Sequence, residues 1–149
     1  MFFLKELPSQ QMVGTYAKDY GADPAHISSA LVMMRRASLL IRSLDAYFAA
    51  HGLSQLRFLV LIVIDREPDR TSLTPNEIAQ RIDVSKPVMT RTLQSLHKDG
   101  LITVSDNPSD GRSKDAALTP EGRQRLQDTL PGYFSLLSEA MTQPSAAAG

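Results

Sequence analysis

Between Ser85 and Asp99 the chain places hydrogen-bonding side chains along one side of a helical pattern. Pro87, Arg91, Gln94 and Lys98 share that side, with Lys86 and Thr90 on its flank near the start. Met89, Leu93 and Leu96 form an apolar stripe opposite. The chemistry this layout suits is recognition of a polyanion rather than turnover. Arg91 can pair with both major-groove acceptors of a guanine, a contact worth about 1–3 kcal/mol of discrimination. Ser85 and Thr90 suit phosphate oxygens or base edges, and the start of a helix favours a phosphate. About a dozen residues further on, Asp110-Gly-Arg112-Ser-Lys114 sits beside a run dense in turn formers. An arginine at such a tip can enter a narrow minor groove. Asp110 can accept from the Arg112 guanidinium and hold it in pose, and Lys114 adds a cation just behind.

These groups need a scaffold, and its boundaries are written in local signals. Residues 1–24 read as an arm with at most one short helix, its Phe2, Phe3, Tyr16 and Tyr20 suggesting that it lies on something apolar. A long helical pattern runs from Pro24 to His51 and stops at Gly52. Its apolar surface, from Ile27 to Phe48, is wider than one neighbour can cover. Ser54 caps a second helix ended by Glu67-Pro68. Thr74, Pro75 and Glu77 then combine a capping box with Pro at the first helical position, starting a helix that runs to about Arg81 or Ile82. Asp83 stands where a sharp turn often needs positive φ. Val84 is expected to plug the core and Ser85 to cap the next helix. Leu101-Ile-Thr-Val104 and residues 113–118 read as the two strands of a hairpin. His97, near the core side of its helix, reads as structural. A last stripe, Leu130, Tyr133, Phe134, Leu137 and Met141, again needs a partner.

The totals bound what this scaffold does. The chain has 149 residues, 42% of them apolar, enough for one core and too few for two ordinary domains. Sixteen basic residues balance sixteen acidic ones, so any attraction to nucleic acid must come from charge concentrated on one face. There is no Cys, which removes disulfides, thiolate zinc sites and thiol redox sensing, and fits the cytoplasm. Met1-Phe-Phe-Leu4 meets Lys5 and Glu6 at once, unlike a secretory signal. No run approaches the ~18 apolar residues of a membrane span. Three His fall in separate segments and no nucleophile, metal or phosphate-loop motif appears, so no catalytic residue, metal or cofactor is expected.

Helix, turn, helix and hairpin in this order describe a winged helix-turn-helix. The wing reads Asp110-x-Arg112, five residues, then Leu118-Thr119-x-x-Gly122. With the preceding L-T-x-x-E-I-A, V-S-K-P-x-M-T-R and L-x-x-x-G-L-I segments, it resembles the MarR (multiple antibiotic resistance regulator) family of transcription factors over roughly residues 27–141. The resemblance implies a mainly α fold with a small β-wing, whose N- and C-terminal helices form a dimerisation domain. It carries Ser85–Thr90 and Arg91 over as DNA contacts and Arg112 as the wing-tip arginine. The organisation expected is an arm (1–24), a helical dimerisation region (25–52 and 124–143), a DNA-binding domain (53–123) and a flexible tail (144–149). The arm is longer than the family's usual start.

The expected partner is a palindromic double-stranded operator bound by a homodimer, with recognition helices about 34 Å apart. Family members commonly take a small anionic or phenolic effector, for which His26, Arg35, Arg36 and His51 are the polar candidates near the long helix. The alternative is a winged-helix module used for protein contacts without DNA binding. Zero net charge favours it, while Arg91 and Arg112 oppose it.

Overall fold

The computed structural model describes residues 2–107 and 109–142, apart from the side chains of Asp110 and Arg112. The flexible tail expected over 144–149 lies outside these residues. The chain divides within its longest helix into two compact units, residues 1–44 and 45–149.

The first unit holds helix α1 (Gln10–Tyr20) and most of α2 (Pro24–Ala50). Ser9 caps α1 by accepting from the Met12 N–H at 3.2 Å, and Gly21 closes it in the left-handed region. Val13 and Ala17 form its buried face, and Phe2 is buried as well. The arm is tied to α2 by Ser28 Oγ donating to Gln10 Oε1 (3.5 Å) and Arg42 Nη2 donating to the Phe2 carbonyl (3.4 Å). Of the four aromatic residues expected to anchor the arm, only Phe2 is covered. Phe3, ahead of α1, is exposed, and so are Tyr16 and Tyr20, because the contact face of α1 is the small one at Val13 and Ala17.

The second unit runs through α3 (Gln55–Asp65), β1 (Ser72–Leu73), α4 (Pro75–Ala79), α5 (Lys86–Lys98), β2 (Ile102–Asn107), β3 (Asp110–Leu118) and α6 (Pro120–Thr142). Helix α3 reads apolar on every face because it is surrounded: Phe58, Val60 and Leu61 are wholly buried. Phe58 stacks on Phe48 with ring centroids 4.7 Å apart, and Tyr133 of α6 lies 4.7 Å from Phe58. That cluster joins the last turns of α2 to α3 and α6. Leu73, Ile78, Leu96, Leu101 and Leu126 complete a core with essentially no solvent exposure. Burying a Leu, Ile or Phe side chain is worth about 1.5–3 kcal/mol each, so this set holds the unit together.

The three strands form one antiparallel sheet in the order β1-β3-β2. Ile102 pairs with Leu118 and Asp106 with Lys114, and the register breaks between Asp106 and Asn107. The returning strand thus begins at Asp110, three residues before the expected start. Among the described residues, no single helix is long and apolar enough to cross a membrane.

Candidate nucleic-acid interface

Helix α4 starts as its sequence demands. Thr74 Oγ1 accepts from the Glu77 N–H (3.2 Å), while Glu77 Oε2 accepts from the Thr74 N–H (2.8 Å). The same carboxylate takes a two-pronged contact from Arg70, Nη1 to Oε1 at 2.6 Å and Nη2 to Oε2 at 2.8 Å. The Arg70 hydrogen bonds, helped by the Thr74 N–H, hold the Glu77 carboxyl down at about 2 from its ordinary 4.5. Arg81 then spans the far end, donating to the Glu77 carbonyl (2.7 Å) and pairing with Glu67 (2.9 Å). Sequence reasoning found the capping box and missed both arginines, because neither Arg70 nor Glu67 belongs to a local capping pattern.

The turn into α5 departs from expectation in three ways. Helix α4 ends at Ala79 rather than near Arg81 or Ile82, tightening into an i→i+3 bond from the Arg81 N–H to the Ile78 carbonyl (3.0 Å). Asp83 has no positive φ; among the described residues only glycines do. The Val84 N–H instead bonds the Ile82 carbonyl at 2.9 Å, a three-residue turn centred on Asp83. An inverse turn of that kind is made at negative φ and needs no left-handed residue. Ile82, 7% exposed, is the buried plug, and Val84 is half-buried.

Ser85 occupies the cap position of α5 with extended backbone, yet its side chain makes no capping bond. Pro87, second in the helix, lacks one of the two N–H groups a cap serves. Met89, Thr92, Leu93 and Leu96 are buried, whereas Ser85, Lys86, Pro87, Thr90, Arg91, Gln94 and Lys98 are exposed. The far end is set by Gly100 at φ 74°, with the Leu101 N–H on the Leu96 carbonyl and the Gly100 N–H on the His97 carbonyl, both 3.0 Å. His97 is exposed, and its Nδ1 lies 3.2 Å from the Ile102 carbonyl, tying the helix to the wing.

Two long-range contacts fix α5 in the unit. Arg57 of α3 bonds the Asp99 carboxylate at the end of α5 and donates to the Gly52 carbonyl at 3.2 Å. At the junction with α6, Thr119 Oγ1 donates to the Gly100 carbonyl (2.6 Å) and accepts from the Gly122 N–H (2.9 Å). A Cβ on Gly122 would overlap the Leu101 carbonyl oxygen. The Leu118-Thr119-x-x-Gly122 part of the wing motif is thus a clamp between backbones.

Charge is sorted over this surface. Residues 86–98 carry Lys86, Arg91 and Lys98 and no carboxylate. Among the described residues none of the three has an ion-pair partner, while Arg57, Arg70, Arg81, Lys114 and Arg123 each face a carboxylate. Lys114, expected to contact DNA, lies across the wing from Asp106 and pairs with it. The expected Asp110–Arg112 pair concerns side chains outside the described residues.

Within the first unit the effector candidates do not converge. His26 sits at the start of α2 beside Asp23 (3.8 Å). Arg35 lies nine residues further along, about 13 Å by helical rise, and lines a cavity of about 230 Å3 with Phe2, Phe3, Lys5, Leu39 and Arg42. Arg36 is its neighbour in sequence but not among the lining residues. His51, in the second unit, packs on the Tyr47 ring at 4.3 Å, with its Nδ1 2.9 Å from the Tyr47 carbonyl. His51 is occupied structurally.

Comparison with known proteins agrees with this geometry. The sequence model of the MarR family matches residues 51–113. The HTH-type transcriptional repressor YetL of Bacillus subtilis (strain 168) is 32% identical over 139 residues, covering 93% of this chain and 83% of the relative. A MarR family transcriptional regulator of Streptomyces coelicolor, solved in complex with DNA, superposes with TM-score 0.69 at 26% identity over 75% of this chain and 70% of that one. The M. tuberculosis regulator MosR, also solved with DNA, gives TM-score 0.63 at 31% identity over 74% and 78%. With its winged helix-turn-helix and this similarity along nearly its whole length, the chain belongs to the MarR family of transcriptional regulators.

Proposed function

We propose that this regulator is a homodimeric repressor that binds an inverted-repeat operator in double-stranded DNA, acts in the cytoplasm and catalyses no reaction. The observation that carries the reading is the cationic face of α5, without an ion pair among the described residues, in a unit where Arg57, Arg70, Arg81, Lys114, Arg123 and Arg125 each face a carboxylate. Zero net charge, the main ground for a protein-contact module, loses its force once charge is sorted in this way. Similarity to a protein named as a repressor, and to two structures that contain DNA, supports the same reading.

In it, the start of α5 meets a phosphate through Ser85 and Lys86, and Pro87 lies at the groove wall. Thr90, Arg91 and Gln94 face base edges. Arg112, oriented by Asp110, enters the adjacent minor groove from the wing, and Lys114 meets the backbone. An effector of the small anionic or phenolic class has its footing at Arg35, where Lys5 and Arg42 line the same cavity without a carboxylate.

Selection of bound duplexes from a random pool tests the core of this. The expected product is a two-fold symmetric sequence with half-sites about one DNA turn apart. Recovery of no preferred sequence, with binding indifferent to salt, would reject it.

A further inference from the structure

We propose that Asp106 is a brake on DNA affinity, acting through Lys114: its carboxylate occupies the one wing cation that the described side chains place against an acid. The inference rests on the DNA-binding reading above. Asp106 and Lys114 face each other across β2 and β3 in the last regular pair before the register breaks, and their side chains form an ion pair. They share a face of the sheet with Val104 and Ala116, two residues nearer its base, where Ala116 is buried. At the pair the sheet has left its cover: the Asp106 side chain is 73% exposed and that of Lys114 57%. The Lys114 hydrogen bond lowers the Asp106 carboxyl below its ordinary value, so it remains ionised at neutral pH.

This arrangement is the reverse of that on α5. Residues 106–115 carry three Asp against Arg112 and Lys114, whereas 86–98 carry cations alone. A cation that neutralises a phosphate releases condensed counterions, and that release dominates sequence-independent affinity. Lys114 must exchange a carboxylate for a phosphate to do so, and Asp106 stays behind as a negative charge near the DNA. Both effects oppose binding to any duplex, operator or not.

The test is a double-mutant cycle on the full chain, by fluorescence anisotropy, with the selected operator and an unrelated duplex from about 50 to about 200 mM salt. Asp106→Asn should tighten binding to both duplexes by about two- to fivefold, the range expected for releasing one exposed ion pair. The log–log salt dependence should steepen by up to about 0.9, the limit in which Lys114 neutralises a phosphate only once the Asp106 carboxylate is gone. With Lys114→Gln already present, Asp106→Asn should recover less than half of that gain. Asp106→Ser should behave like Asp106→Asn. The proposal is overturned if Asp106→Asn binds no more tightly than the parent, or if its gain persists in full without Lys114. A parent protein that binds neither duplex removes the DNA-binding reading along with the brake. A parent that binds, with an unresponsive Asp106→Asn, removes the brake alone.

Discussion

Arg91 lies at the middle of the exposed face of α5, beyond reach of any carboxylate on its own helix. An unpaired guanidinium keeps its donors available, and its planar fork matches the two acceptors on a guanine edge. Arg91→Ala should therefore relax base preference at one position in each half-site, at a cost of about 1–3 kcal/mol to the preferred base. Comparing selected sequences from the parent and the variant checks this, and an unchanged preference at every position would exclude direct readout by Arg91. Lys86 should behave differently, because an ammonium on a phosphate lowers affinity uniformly when removed. Residue type and spacing alone made the exposed position of Arg91 legible. The partner of Lys114 was not, since a cross-strand neighbour depends on a register that the turn residues 107–110 leave open.

At the scale of elements, the recognition helix is held by what surrounds its ends. Gly122 lets α6 start against the Leu101 carbonyl, and there is no room for a methyl group between two backbones. Gly122→Ala should cost about 3 kcal/mol, a fall in Tm of about 6–12 °C, measurable by thermal melting. A variant with parental Tm would show that the junction yields easily. The α4 start offers a second test. The Glu77 carboxyl, held by Arg70 at about 2 in the folded chain, titrates near 4.5 when unfolded. A depressed folded pKa stabilises above the unfolded value, and the contribution disappears as pH falls from about 4.5 towards 2. The Tm gap between the parent and Glu77→Gln should be widest above that window and close within it. A gap independent of pH would assign Glu77 a purely steric role. The capping box was readable because it is local, four residues with fixed types. Arg70, seven residues away along the chain, was not.

At the scale of the whole molecule, large apolar side chains remain exposed on the two longest helices. Met33 (67% exposed) and Ile41 (46%) on α2, and Phe134 (55%) and Met141 (70%) on α6, are large side chains left in water. Large apolar side chains exposed along one helix mark an interaction site, and in the proposed dimer a second copy covers those of each unit. Sedimentation should report a mass of two chains, and Phe134→Glu with Met141→Glu should shift it towards one while weakening operator binding, because two linked half-sites bind far more tightly than one. A double variant that stays dimeric would place the interface elsewhere. The stripe on α6 was visible in the sequence as periodicity. Its division into half-buried Leu130, Tyr133 and Leu137 and exposed Phe134 and Met141 was not, because intrachain packing claims only part of it.

By itself the sequence determined the order of elements, most of the helix starts and stops, the polar face of α5 and the presence of a wing. Each depends on periodicity, caps and turn residues within a few positions of one another. Only the tertiary structure decided which charges cancel. Arg57 meets Asp99 from 42 residues away and Arg123 meets Asp65 from 58, while among the described residues no carboxylate pairs with the cations of α5. The fold also decided how the α4–α5 turn is made, since an early end to α4 removed the need for a left-handed Asp83. Contacts between residues distant along the chain arise from packing, and composition or local pattern carries no record of them.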